Sequence, residues 1–323
     1  MPTTTNGMTS PGSVAAPDAG GKVTHPLVAR RLAVADVADL GAGLRRITLD
    51  GPDVAGLVSL GVTDHVKLFV PARPGADVVH PRVVDGAWLD KRDPALTYRE
   101  MTVRTHVEGG PLVLEIVAGD HGPASRWAAQ AQVGQEVGVL GPKSSALRPL
   151  DRPRYVLAVD ATGLPAVRNW LDRLPASAHV TVLVGVGSAT GADLPLPARA
   201  GLDVVQLAPT DDGALATAVE RLLATPPVAA ADVTPTDAGV PTPSVESADV
   251  TPSVERLLPT PSAAAADGGT TGTGTFWWAA AEAAQIRRIR AALVAAGVPR
   301  DSWAMTAYWR RGVAHFDHKS PDA

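Results

Sequence analysis

The stretch RYVLAVDATGLPAVRNWL, Arg154–Leu171, decides how this chain is read. Its first half is an apolar, β-branched run with the character of a buried strand. Its second half places Leu164, Val167, Trp170 and Leu171 on one face at helical spacing. The same alternation continues downstream. HVTVLVGVG and GLDVVQLA read as strands, DGALATAVERLLA as a helix, and TFWWAAA, EAAQIRRIRAALVAAG and SWAMTAYWRRG as strand, helix, strand. Strands alternating with helices predict a parallel sheet covered on both faces.

Upstream the rhythm differs. From His25 to about Leu150, short strand-like runs such as LRRITLDG, HVKLFVP, EMTVRTHVE, PLVLEIVAG and QEVGVLGP are separated by Gly, Pro and Asp clusters. That pattern predicts a barrel or sandwich. One helix interrupts it, GPASRWAAQA, with Pro123 placed to begin it and alanines to carry it. The expected organisation is a β-domain over 25–150 and an α/β domain over 151–323. Residues 1–24, rich in Thr, Gly, Pro and Ser, read as a disordered tail. Residues 226–274, dominated by Pro, Ala, Thr, Asp and Gly, read as a disordered insertion in the second domain. TPSVE recurs there at Thr242–Glu246 and Thr251–Glu255. Such a loop is tolerated because closure entropy grows slowly with length.

Composition narrows the chemistry. The chain has 323 residues, a net charge of -4 and no cysteine. Disulfides, thiolate-held zinc, iron–sulfur clusters and thiol nucleophiles are excluded. The charge balance lacks the basic excess expected of a nucleic-acid partner. No apolar run reaches the length of a membrane span, and the first two dozen residues lack the pattern of a signal peptide. A cytoplasmic protein is the expectation.

Several segments carry groups that packing alone does not require. YREMTVR, Tyr98–Arg104, sets two arginines and a threonine on a strand, although a solvated strand surface would account for them. In GPASRWA a helix N-terminus presents backbone amides suited to an anion, Gly122 permits close approach and Ser125 offers a hydroxyl. An ordinary capped helix is the other reading. VDATGLPA lies at the carboxyl end of the first parallel strand, where ligands bind in open α/β sheets. It lacks a Gly-x-Gly-x-x-Gly fingerprint. Glu282 in WAAAE begins a helix favourably against its dipole. In YWRRG, Tyr308 and Trp309 either stack on a ligand or pack on the sheet, and Arg310 or Arg311 suits an anion. No catalytic triad or metal-ligand cluster is visible.

DHVKLFVP, REMTVR, GPASRWA, VDATGLPA, WAAAEAAQIRRIRAAL and YWRRG occur in that order. Together they resemble the siderophore-interacting proteins, a family of NAD(P)H-dependent, FAD-containing ferric-siderophore reductases. The resemblance runs from His25 to about Gly312, the insertion excepted. It implies an N-terminal antiparallel β-barrel FAD-binding domain followed by a parallel-sheet α/β nucleotide-binding domain. It assigns His65, Arg99, Met101, Thr102, Val103, Arg104, Gly122, Pro123, Ala124 and Ser125 to FAD. Asp160, Thr162, Gly163, Ala281, Glu282, Trp309 and Arg310 are assigned to NADH or NADPH. Within this set Arg99 would pair with the flavin pyrophosphate, and Thr102 would lie near the reactive edge of the isoalloxazine.

Three positions depart from the family pattern. Met101 replaces a stacking tyrosine, Ala118 stands near the place of a histidine, and Ala281 stands where glycine is usual. The implied reaction is hydride transfer to FAD and single-electron transfer to a ferric siderophore, the small-molecule substrate. The cofactor carries the chemistry, so no protein acid, base or metal ligand is needed. Two other readings stand beside it: a non-reducing flavin- or siderophore-binding protein, and a related reductase with another electron acceptor.

Overall fold

The structure is a computed structural model and describes residues 21–186, 194–207, 213–224, 274–313 and 316. The described residues before Asp151 form one compact unit, to which Leu164–Leu174 also belong. Asp151–Gly163 and most later described residues form the second.

In the first unit the strands are β1 (Lys22–Thr24), β2 (Ala29–Asp39), β3 (Leu44–Asp50), β4 (His65–Phe69), β5 (Val83–Val84), β6 (Ala87–Trp88), β7 (Tyr98–Thr105) and β8 (Leu112–Val117). Helix α1 (Pro123–Gln130) precedes β9 (Glu136–Leu140) and β10 (Ser144–Ala146). Six of these strands close a barrel in the order β2-β3-β8-β7-β4-β9, through antiparallel pairings. Closure gives each barrel strand a neighbouring strand on either side.

Alternation selects the barrel's inner face. Leu32 and Val34 on β2, Ile47 and Leu49 on β3, Val66 and Leu68 on β4, and Leu112 and Leu114 on β8 form one buried cluster. Trp127 and Ala128 of α1 belong to the same cluster. A second, smaller cluster gathers Phe69, Trp88 and Tyr98. The Tyr98 ring lies 5.0 Å from Phe69 and 5.4 Å from Trp88.

Lys22–Thr24, expected within the tail, form a strand, and residues 1–20 lie outside the described residues. Lys22–Thr24 pair antiparallel with Ser144–Ala146, and Val23 is only 2% exposed. A single buried valine and three backbone pairings suffice to order a segment that composition alone marks as loose. The expected insertion lies outside the described residues, apart from Gly274.

The second unit holds β11 (Arg154–Asp160), β12 (His179–Gly185), β13 (Leu202–Leu207), β14 (Thr275–Glu282) and β15 (Trp303–Trp309). They form one parallel sheet in the order β13-β12-β11-β14-β15. Helix α2 (Leu164–Arg173) follows β11 but groups with the barrel unit; α3 (Ala214–Ala224) and α4 (Ala283–Ala295) belong with the sheet. Central β11 is buried without a break from Tyr155 to Val159, the pattern of a parallel strand enclosed on both faces. Leu215 and Val219 of α3 and Ile286, Ile289 and Leu293 of α4 join Val156, Ala158, Leu183 and Ala279 in its core. Each of the valine, leucine and isoleucine side chains contributes about 1.5–3 kcal/mol on full burial. No described helix is long and apolar enough to cross a membrane.

Candidate functional site

The first candidate region is built around β7. Along Tyr98–Thr102 this strand pairs with β4, in a register that sets His65 opposite Thr102, Val66 opposite Met101 and Leu68 opposite Arg99. Its ladder to β8 is short, with Val103 opposite Leu114 and Thr105 opposite Val113. Arg104 is therefore an extra residue in a β-bulge, and β8 does not pair with β7 over Tyr98–Thr102.

Helix α1 begins beside this strand. Gly122, at its N-cap, has φ 138° and gives no side-chain cap. Pro123 occupies the first turn, where its missing N–H costs nothing. The leading backbone amides of a helix have no partner within it. A Cβ built on Gly122 would lie 3.8 Å from a terminal nitrogen of Arg99. A guanidinium and an uncapped helix N-terminus thus share one small region. Burial lowers the Arg99 pKa, nearby Arg126 lowers it further, and Tyr98 opposes the shift. A cation in that setting gains from an anion placed against it.

The strand separates the candidate residues by face. Arg99, Met101 and Val103 share the core-facing side, and Met101 packs against the barrel core. Thr102, with His65 opposite, is on the other side, as is Tyr98 in its aromatic cluster. Ala124 is buried in the helix. Ser125 donates its hydroxyl to the Val117 carbonyl at 2.6 Å, which fixes the loop leading into α1.

Arg104 has a different setting. Its guanidinium donates to Asn169 Oδ1 at 3.1 Å and lies 2.7 Å from Asp172 on the same helix, α2. Its Nε is 3.6 Å from Glu115. The Glu115 side chain is fully enclosed and also meets Arg46 at 2.9 Å and Arg168 at 3.4 Å. Asn169 donates to the carbonyls of Val62 and Val103 at 3.0 and 2.8 Å. Glu115 and Asn169 were not among the sequence candidates. Glu115 is the lone polar residue of the apolar run PLVLEIV, and Asn169 with Arg168 interrupts the apolar run LPAVRNWL; those interruptions are the available signal.

The second region lies at the carboxyl ends of β11, β14 and β15. Asp160 Oδ1 accepts from the Thr162 amide and hydroxyl at 2.9 and 2.5 Å. Its Oδ2 accepts from the Glu282 amide at 3.1 Å and the Trp309 indole at 2.8 Å. Four of the candidates therefore meet at one carboxylate. Desolvation raises the Asp160 pKa, and the hydrogen bonds from Thr162, Trp309 and Glu282 oppose that rise. Trp309 is 37% exposed, so its N–H is anchored while part of its ring meets solvent. Arg310 follows it, half-buried, at the start of a turn.

Three candidates have evident packing roles. A Cβ on Gly163 would fall 2.7 Å from Val159 and 3.0 Å from the Ala280 carbonyl, so glycine is required for the turn to close on the strands. Ala281 is buried in the core of the sheet unit with Ile286 and Ala307. The Glu282 carboxylate caps α4 through the Ala284 amide and accepts from the Arg311 amide at 3.3 Å.

Comparison with known proteins places these features in a family. A profile described as the siderophore-interacting FAD-binding domain matches residues 33–146, and one described as siderophore-interacting protein matches 152–312. An NADPH-dependent ferric-chelate reductase of Escherichia coli K12 is 34% identical over 51% of this chain and 66% of its own length. Ferric vibriobactin reductase ViuB of Vibrio cholerae is 29% identical over 44% of this chain and 53% of its own. The chain thus spans less than two thirds of these curated relatives. The crystal structure of a siderophore utilization protein from T. fusca aligns with a TM-score of 0.70 and 30% identity, over 91% of this chain and 97% of that one. The siderophore-interacting protein SipS of Aeromonas hydrophila shares the fold, with a TM-score of 0.60 at 21% identity over 88% and 93% of the two chains.

Proposed function

This chain belongs to the siderophore-interacting protein family, and we propose that it is an FAD-dependent reductase that takes electrons from NADH or NADPH and delivers them to iron(III) held by a siderophore. One observation carries the reading. The Arg99 guanidinium and the uncapped start of α1 occur together in the barrel unit. A fixed cation beside helix amides suits a pyrophosphate.

These residues fit FAD. Arg99 and the amides of Ala124 and Ser125 would hold the pyrophosphate, with Gly122 leaving room for it. The Thr102 backbone would orient the ring, and Met101 would cover part of its face through a polarizable sulfur. Bound FAD supplies the exchange between two-electron and one-electron chemistry.

In the sheet unit, Asp160 holds Thr162, the start of α4 and the Trp309 indole in one arrangement. Trp309 would offer a ring face to the nicotinamide nucleotide, and Arg310 a cation to its phosphates. Ala281 turns its methyl into the core, so that departure from the family pattern does not obstruct a ligand. The siderophore-bound iron is substrate. Oxygen-rich siderophores hold iron(II) weakly, so reduction releases it. We place this activity in the cytoplasm, where reduced nicotinamide nucleotides are supplied.

The direct test is anaerobic turnover with FAD, NADH or NADPH, a ferric siderophore and a colorimetric trap for iron(II). Nucleotide-dependent iron(II) release that is saturable in the siderophore supports the proposal. Oxidation of the nucleotide by oxygen or quinones, without iron release from any ferric chelate, would replace it with a reductase for another acceptor.

A further inference from the structure

The polar group joining β7 to α2 lies inside the barrel unit and has no role in the reaction described above. Asn169 is its centre. The residue is 6% exposed on the side of α2 that also carries Pro165, Ala166 and Asp172, away from Leu164, Val167 and Leu171. Its side-chain amide donates to Val62 and Val103 and accepts from Arg104. Only this orientation works: the reverse would set its oxygen against two carbonyls and its NH2 group against a guanidinium. Buried polar groups with such complete partnering fix geometry more than they add stability.

What Asn169 fixes is the bulge. Val103 and Arg104 are the residues at which the β7–β8 ladder slips. Asn169 holds the carbonyl of the first and the guanidinium of the second. The Val103 amide is in turn bonded to the Asp64 carbonyl at 2.8 Å, just before β4 begins. Arg104 is restrained further by Asp172 and Glu115. The residue immediately before this clamped pair is Thr102.

We infer that Asn169 is a positioning residue: through Val103 and Arg104 it sets the backbone at Thr102, and with it the alignment of the flavin ring on β7. Arg104 then serves as a strut within the protein and not as a pyrophosphate ligand. The inference rests on the proposed flavin site. It predicts that loss of Asn169 leaves FAD bound, because Arg99 and the α1 amides are untouched, but misaligns the ring. Displacement of about 1 Å in a reacting group can cost up to about a hundredfold in rate.

The test compares Asn169→Ala with Leu171→Ala, which removes packing from the same helix but none of these hydrogen bonds. Asn169→Asp serves if the alanine variant does not fold, since it keeps the acceptor for Arg104 while opposing two carbonyls with a carboxylate. Each is measured for FAD content, visible circular dichroism of the flavin, kcat and KM for the nucleotide, and amide hydrogen exchange in FAD-free protein.

The Asn169 variants are expected to retain FAD, change the flavin dichroism and lower kcat about tenfold with KM nearly unchanged. Exchange should accelerate selectively in the peptide covering Tyr98–Thr105. If the Asn169 and Leu171 variants behave alike in dichroism, kcat and β7 exchange, Asn169 is only a packing residue and the inference falls, while the flavin site stands. If wild-type protein retains no FAD, the proposed function fails. In that case selective exchange in β7 still supports the clamp, and its absence overturns it.

Discussion

The Trp309 indole N–H donates to the Asp160 carboxylate at 2.8 Å, joining the end of β15 to the end of β11. The same oxygen accepts the Glu282 amide, so one carboxylate gathers three strand ends. Burial raises the Asp160 pKa above its ordinary value of 3.8 despite these donors. The folded protein therefore holds this proton more tightly than the unfolded chain does. The resulting stabilisation is full below the ordinary value and is lost as pH rises through the folded value. The melting temperature of wild type relative to Asp160→Asn should decline with rising pH across that window. A difference that grows with pH would mean that the carboxylate is favoured by folding.

Arg99 and Arg104, both on β7, should respond differently to removal. Arg99→Ala deletes the cation beside the α1 N-terminus, and desalted protein should lose most of its FAD; one charge-assisted hydrogen bond contributes about 1.5–3 kcal/mol. Arg104→Ala should keep FAD but melt at lower temperature, because Asp172 and Glu115 lose a partner. Equal FAD loss in both variants would return Arg104 to the FAD-binding residues.

Met101 packs on the barrel core yet remains half-exposed. Met101→Tyr should tighten FAD if this side chain covers the ring, since an aromatic adds about 0.5–1.5 kcal/mol of stacking. Isothermal titration with FAD reads this directly. Unchanged or weaker binding would place the ring elsewhere along β7.

Glu115 balances the Arg46, Arg104 and Arg168 guanidiniums from a fully enclosed position. Glu115→Gln keeps the shape and removes the charge. It should cost about 3 kcal/mol in urea unfolding, because three cations are left facing one another. A loss below about 0.5 kcal/mol would show that solvent compensates them.

The change of rhythm at Arg154 is readable because periodicity reports burial, and the parallel sheet follows from it; the short upstream strands left barrel or sandwich open, and the family resemblance selected the barrel. The strand–turn–helix pattern singled out the segment of Asp160 and Thr162, and the family resemblance singled out Trp309; their shared hydrogen bonds depend on which strand ends become neighbours. Lys22–Thr24 escaped detection because a three-residue strand carries too little pattern against a loose tail. Arg104 looked like a ligand-facing cation because sequence does not show a β-bulge, and the bulge is where its guanidinium finds Asn169. Asn169 and Glu115 were visible as polar interruptions, but their partners are distant in sequence.

The measurement closest to the central claim is the absorbance spectrum of protein incubated with FAD, desalted, and then given NADH or NADPH under anaerobic conditions. Retained flavin bands that bleach on nucleotide addition, and return when a ferric siderophore is added, are the predicted result. A protein that emerges from desalting with no flavin absorbance, or whose flavin bands persist with both nucleotides, would contradict the account.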